Sequence, residues 1–141
     1  VPIFSEHPFL TILGEERCKY VYPFKSLADA GAVLAFGSDH PIAELNPMKG
    51  IYRAITRVCD DGQPEGGWCP NEKLSLADSL KAYTIGSAYQ MWSDDITGTL
   101  EEGKYADIVV LDKNLFKADV EEIRETTVVM TMFGGKIIYE S

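Results

Sequence analysis

An α/β fold with a β-rich end is the architecture this sequence predicts, and three observations carry it. The helix-like stretch Ser26-Leu27-Ala28-Asp29-Ala30-Gly31 runs directly into the unbroken apolar run of residues 32–36. Two segments of helical spacing follow, one from Pro47 and one from Ser75. After about residue 94 the pattern changes to short β-prone runs, and the last two are joined by Gly134-Gly135, a two-residue hairpin turn.

Each element has its own reason. Residues 1–4 are a short apolar segment, and Pro8 punctuates the polar stretch after them. Residues 13–21 have mixed polarity and predict no clear element. Ser26 followed by Asp29 fits a capping box in its wider form, and Gly31 suits a left-handed stop, so a short helix is predicted. Continuous hydrophobicity over residues 32–36, rather than alternation, suits a strand buried on both faces of a parallel sheet. Pro47 opens a second helix, expected over residues 47–60, with Met48, Ile51, Tyr52, Ile55 and Val58 at helical spacing. Residues 60–71 are rich in Gly and Pro and predict a loop long enough to be functional. Ser75 caps a third helix, expected over residues 74–92, with Asp78 three residues on. A strand is predicted over residues 107–111, and residues 128–133 and 136–139 form the hairpin. The chain thus divides into an α/β part, residues 1–93, and a β-rich part, residues 94–141.

Composition narrows the function classes. The chain has 141 residues and a formal net charge of −9, which excludes the basic face that a nucleic-acid binder needs and disfavours anionic membrane surfaces. No apolar run approaches the roughly 18–20 residues needed to span a bilayer, and no secretory leader is visible. Cys18, Cys59 and Cys69 are odd in number and lack paired spacing, which predicts reduced thiols and a cytoplasmic protein. The start at Val1-Pro2, without Met, is expected to be a cut from something longer.

The chemistry-bearing residues are few. Asp39 follows the apolar run in Gly37-Ser38-Asp39-His40-Pro41. Functional groups of parallel α/β folds sit where strands end at their carboxyl edge, so Asp39 could bind a divalent metal or act as a general base. It could equally cap the next turn. His7 and His40 are the only histidines, too few for a complete catalytic zinc site of three or four protein ligands. No nucleophile elbow and no phosphate-cradling glycine loop is present.

Three motifs taken together carry a resemblance: Gly-Ser-Asp-x-Pro at residues 37–41, Asn-Pro-x-x-Gly-Ile-Tyr at residues 46–52, and Gly-Lys-x-Ala-Asp at residues 103–107. With the stretches around them, the chain resembles the C-terminal part of metal-dependent amidohydrolases. The branch is that of N-substituted formamide deformylase and exoenzyme-regulatory-protein-like hydrolases. The resemblance implies the C-terminal portion of a (β/α)₈ barrel over residues 1–93, strands seven and eight with their following helices, and part of a small β-sandwich over residues 94–141. Residues 1–4 would be the seventh strand. Asp39 would end the eighth as the catalytic and metal-binding carboxylate, taking a proton from the attacking water. His7, His40 and Arg57 would line the substrate pocket, although Arg57 also suits a surface salt bridge.

The implied activity is hydrolysis of a carbon–nitrogen, non-peptide bond in an amide-type small substrate. Zinc or another divalent metal is expected in the longer parent. The family's His-x-His pair and later histidines are not in this sequence, so these residues alone are expected to bind metal weakly and to be inactive. The rival from another class is a non-catalytic binding or regulatory module. Open sheet edges further predict a homo-oligomer.

Overall fold

The computed structural model describes residues 8–141. The expected strand over residues 1–4 and His7 therefore lie outside the described residues. Among the described residues the elements follow in the order α1 (Pro8–Cys18, kinked at Gly14, whose backbone is not helical), α2 (Phe24–Asp29), α3 (Met48–Thr56), α4 (Leu76–Tyr83), α5 (Ile85–Gln90), β1 (Ile108–Leu111), α6 (Val120–Ile123), β2 (Val128–Phe133) and β3 (Lys136–Glu140). A 3₁₀ turn, Pro70–Glu72, interrupts the long loop before α4.

The mixed α/β character is as expected, and the three strands form one antiparallel sheet in the order β1-β2-β3. Met132 pairs with Ile108 on one side and Ile137 on the other. Gly134 and Gly135 both have positive φ (54° and 79°), as a tight turn between strands of right-handed twist demands. Asp107 pins this turn to the start of β1: its carboxylate accepts from the Gly134 N–H at 2.7 Å and from the Thr97 hydroxyl at 3.2 Å.

α3 is amphipathic as its spacing predicts, burying Met48, Ile51, Tyr52 and Ala54, but it stops at Thr56, short of the expected residue 60, where Arg57 turns left-handed at φ 63°. Met48 and Ile51 meet Leu115 and Ile123 in the core, and Leu76, Leu80, Tyr83 and Leu111 pack around them. The core thus joins residues on both sides of position 93. The Tyr52 hydroxyl strengthens that union by donating to Glu121 at 2.8 Å.

Three expectations need correction. The first is the buried strand over residues 32–36, which belongs to no sheet, with Val33 59% exposed. A strand exists only against a neighbour, and none flanks this segment among the described residues. Its backbone bonds to helices instead: the Phe36 N–H donates to Ala82 O at 2.9 Å, and the Ser87 hydroxyl donates to Phe36 O at 2.8 Å. The second is the single helix over residues 74–92, which breaks at Thr84 (φ −119°, ψ −96°) into α4 and α5. The extended segment lies against that break, so close that a Cβ on Gly86 would collide with Leu34 O. The third is Ser26, which does not cap α2. That helix starts at Phe24, and Pro23 precedes it without a side-chain cap.

Candidate functional site

The segment seated on α4 and α5 delivers its last residues, Gly37 and Ser38, into a tight turn. Ala43 N–H donates back to Ser38 O at 3.1 Å, and Ile42 N–H donates to Asp39 O at 2.8 Å. Asp39 takes the left-handed conformation, φ 49°, which Asp and Asn tolerate better than other side-chain-bearing residues. Its side chain is exposed, as is that of His40. The His40 Nδ1 lies 3.3 Å from Ala43 O, which orients the ring across the turn.

This turn forms one wall of a cavity of about 610 Å³. Ser38 and His40 line it, whereas Asp39, between them in sequence, does not; Lys49, Gly50 and Arg53 of α3 and Tyr83 of α4 line it as well. The cations of that wall already have partners. Lys49 Nζ lies 2.6 Å from Glu44 Oε1, and the Arg53 guanidinium lies 2.7 Å from Asp60 Oδ2. Burial pushes the Tyr83 phenol above its ordinary pKa, against the opposing charge of Arg53, so it is a protonated donor at neutral pH. Sequence reasoning placed Tyr83 only on the apolar side of its helix and passed over Lys49 and Arg53. The one local signal was Gly50 inside an otherwise regular helical pattern, a mark of close approach.

Arg57 is elsewhere. It is fully buried at the C-terminal end of α3, with φ 63°. Its guanidinium donates to three carbonyls: Nε to Trp68 O at 2.9 Å, and the terminal nitrogens to Tyr22 O at 3.0 Å and Val21 O at 3.4 Å. It also lies over the Phe24 ring at 5.8 Å. Burial lowers its pKa, with Cys69 and Glu72 opposing that shift. Among the described residues Arg57 neither lines the cavity nor forms a surface ion pair.

Glu72, 3% exposed, completes the same inner structure. Its carboxylate accepts from the Ser26 N–H at 2.9 Å and, through a short contact, from the Ser26 hydroxyl. Burial pushes this carboxyl up, but those hydrogen bonds and the Arg57 charge outweigh it and hold the group below its ordinary pKa. Arg57 and Glu72 together fasten the start of α2 to the loop after α3, so the chain from α2 to Asp39 has a fixed origin.

Among the described residues no three His, Cys, Asp or Glu side chains converge on a metal position. No helix among them is long and apolar enough to cross a membrane. What the site offers is an exposed carboxylate, a neighbouring imidazole and a wall of hydrogen-bond donors.

Comparison with known proteins places this geometry in context. A model described as the amidohydrolase family matches residues 2–139. Protein LONG AFTER FAR-RED 3 of Arabidopsis thaliana is 38% identical over 128 residues, 90% of this chain and 21% of that protein. N-substituted formamide deformylase of Arthrobacter pascens is 31% identical over 127 residues, 90% of this chain and 23% of that protein. The crystal structure of a metal-dependent hydrolase from Pyrococcus horikoshii OT3 superposes with a TM-score of 0.66 at 31% identity, over 81% of this chain and 25% of that one. The chain therefore spans between a fifth and a quarter of the length of these relatives.

Proposed function

This chain belongs to the amidohydrolase family, and from that premise we propose that the protein carrying it hydrolyses a carbon–nitrogen, non-peptide bond of an amide-type small substrate. In this reading residues 1–93 belong to the end of a (β/α)₈ barrel and residues 94–141 to a small β-sandwich. The extended segment 32–36 would then be a barrel strand whose neighbours lie outside the described residues.

Asp39 is the proposed base. Its carboxylate takes a proton from the water that attacks the substrate carbonyl and later returns it to the leaving nitrogen. His40, beside it on the cavity wall, contacts the substrate. The single observation that carries the reading is the placement of Asp39: an exposed carboxylate, in left-handed backbone, flanked in sequence by two residues that line a cavity. Side chains held in sparsely populated backbone conformations cluster at functional sites.

A relative in this fold is a metal-dependent hydrolase, and a divalent metal such as zinc is part of the proposal for the whole protein. The described residues do not hold such an ion by themselves, since Asp39 and His40 are two donors without a third. This chain's share of the chemistry is the proton acceptor and the pocket wall.

The test is amine release from N-formyl amines by the protein carrying this chain. Asp39→Asn should lower the rate by about 10²–10⁴-fold, the usual contribution of a positioned base. Full activity in that variant overturns the assignment. Self-association belongs to the same reading, because the free edge of residues 32–36 invites strand pairing. Light scattering at micromolar concentration on the 141-residue chain should report a dimer or larger, and a well-folded monomer would contradict it.

A further inference from the structure

The α3–α4 wall of the cavity carries an inference that rests on the amide-hydrolase reading and names which substrate atom the wall receives. Two hydrogen-bond donors there have no acceptor among the described residues. One is the buried Arg53 Nε–H. The other is the Tyr83 hydroxyl, which lies against Gly50 of α3, while its ring packs edge-on to Phe36 at 5.5 Å between centroids.

Gly50 explains how the hydroxyl comes to be there. A Cβ at that position would collide with the Tyr83 oxygen, so only glycine lets the phenol reach across α3 to the cavity. Gly50 costs about 1 kcal/mol of helix propensity relative to Ala, and the contact it permits is a polar one that nothing among the described residues completes. Arg53, three residues further along the same helix, lines the same cavity.

Charge then selects the ligand. The wall has two cations, Lys49 and Arg53, and each is already matched, by Glu44 at 2.6 Å and by Asp60 at 2.7 Å. Donors are left over, but positive charge is not. A carboxylate ligand would compete with two carboxylates already in place, whereas an uncharged oxygen would meet an unused donor at no electrostatic cost. We propose that Tyr83, supported by Arg53, is a subsite for the uncharged carbonyl oxygen of an amide-class substrate.

Burial keeps the phenol protonated, so the subsite donates one hydrogen bond throughout the neutral pH range. The proton stays on Tyr83; no bond is made or broken there.

The experiment compares two probes, N-butylformamide and butanoate, by equilibrium binding to the protein carrying this chain with Asp39→Asn in place. Saturable binding of the formamide, tighter than that of butanoate, is expected. Adding Tyr83→Phe should weaken formamide binding about tenfold, the value of one lost hydrogen bond at the upper end of the usual range, and leave butanoate unchanged. Gly50→Ala, which displaces the hydroxyl without removing it, should do the same, with thermal unfolding confirming that each variant is folded. Formamide affinity unaltered by both substitutions, or tighter binding of butanoate, overturns the proposal alone, and no saturable formamide binding before them overturns the amide-substrate reading and the subsite with it. Hydrolysis of the formamide despite Asp39→Asn would sink the assignment of the base instead, so the two failures are distinguishable.

Discussion

The two ends of α3 are built in opposite ways. At its N-terminal approach, residues 38–47 turn on themselves through two backbone bonds and leave Asp39 and His40 exposed. At its C-terminal exit, Arg57 and Glu72 are buried, and five hydrogen bonds from or to their side chains tie down residues 21–26 and Trp68. Both ends hold charged residues and non-glycine residues with positive φ. The difference is what satisfies the polar groups. At the exit the protein satisfies them itself, and a charge so committed has no capacity left for a ligand. At the approach solvent does, and a ligand can replace solvent.

The sharpest way to break this contrast is Arg57→Ala. It takes the guanidinium from three carbonyls; Tyr22 O keeps the Phe24 N–H at 2.8 Å, and Val21 O and Trp68 O lose their donor, at about 1–3 kcal/mol for each group left unsatisfied and buried. Relaxation and water entry recover part of this, so a loss of about 3 kcal/mol in urea unfolding is expected. Arg57→Lys should rescue less than half, because an ammonium cannot reproduce the planar fork that reaches Trp68 on one side and Tyr22 on the other. A loss below about 1 kcal/mol for Arg57→Ala would show that the exit is not the rigid end.

Glu72→Gln is next in size, at about 1–2 kcal/mol, since the amide keeps the shape but gives up a charge-assisted acceptor. Its pH dependence follows from the lowered folded-state pKa. The carboxylate's contribution is fully present above the unfolded-state pKa, near about 4.3. It is lost as pH falls through the lower folded value. The stability gap between the native protein and Glu72→Gln should therefore be constant near neutrality and close below about pH 4. A gap that widens on acidification would contradict the hydrogen-bonding account.

Ser75→Ala is smaller, about 1 kcal/mol, and it shows what kind of structure a sequence reveals. The Ser75 hydroxyl accepts from the Asp78 N–H at 3.0 Å, a contact three residues long that the pattern announces. The Gly134-Gly135 turn is legible for the same reason. Ser26 presents the same local pattern, yet its hydroxyl goes to Glu72, 46 residues away, and no local rule can weigh that competitor. The break at Thr84 is equally hidden, because what sits against it is the extended segment ending at Phe36. The run over residues 32–36 reads as a buried strand, but strand identity is a property of a pair, and among the described residues the run has no strand partner. At the site, Asp39 was legible from its position after that run. The Arg53–Tyr83 wall was not, because it forms only when α3 and α4 meet across Gly50.

The smallest stability effect belongs to Asp39→Asn, and it puts the contrast in its strictest form. The edit is the same as Glu72→Gln, a carboxylate replaced by its amide, now made at the other end of α3. Asn tolerates φ 49° as well as Asp does, the side chain is exposed, and no ion pair involves it among the described residues. Unfolding in urea should therefore shift by less than about 0.5 kcal/mol. If Asp39 is the base, amine release collapses while stability stays; at Glu72 stability falls first, and activity falls only as far as the folded fraction does. A double variant should lose stability additively, because no contact among the described residues links the two side chains. Coupling above about 0.5 kcal/mol would mean that the buried exit holds the exposed turn in its left-handed conformation, and the two ends of α3 would then be one device.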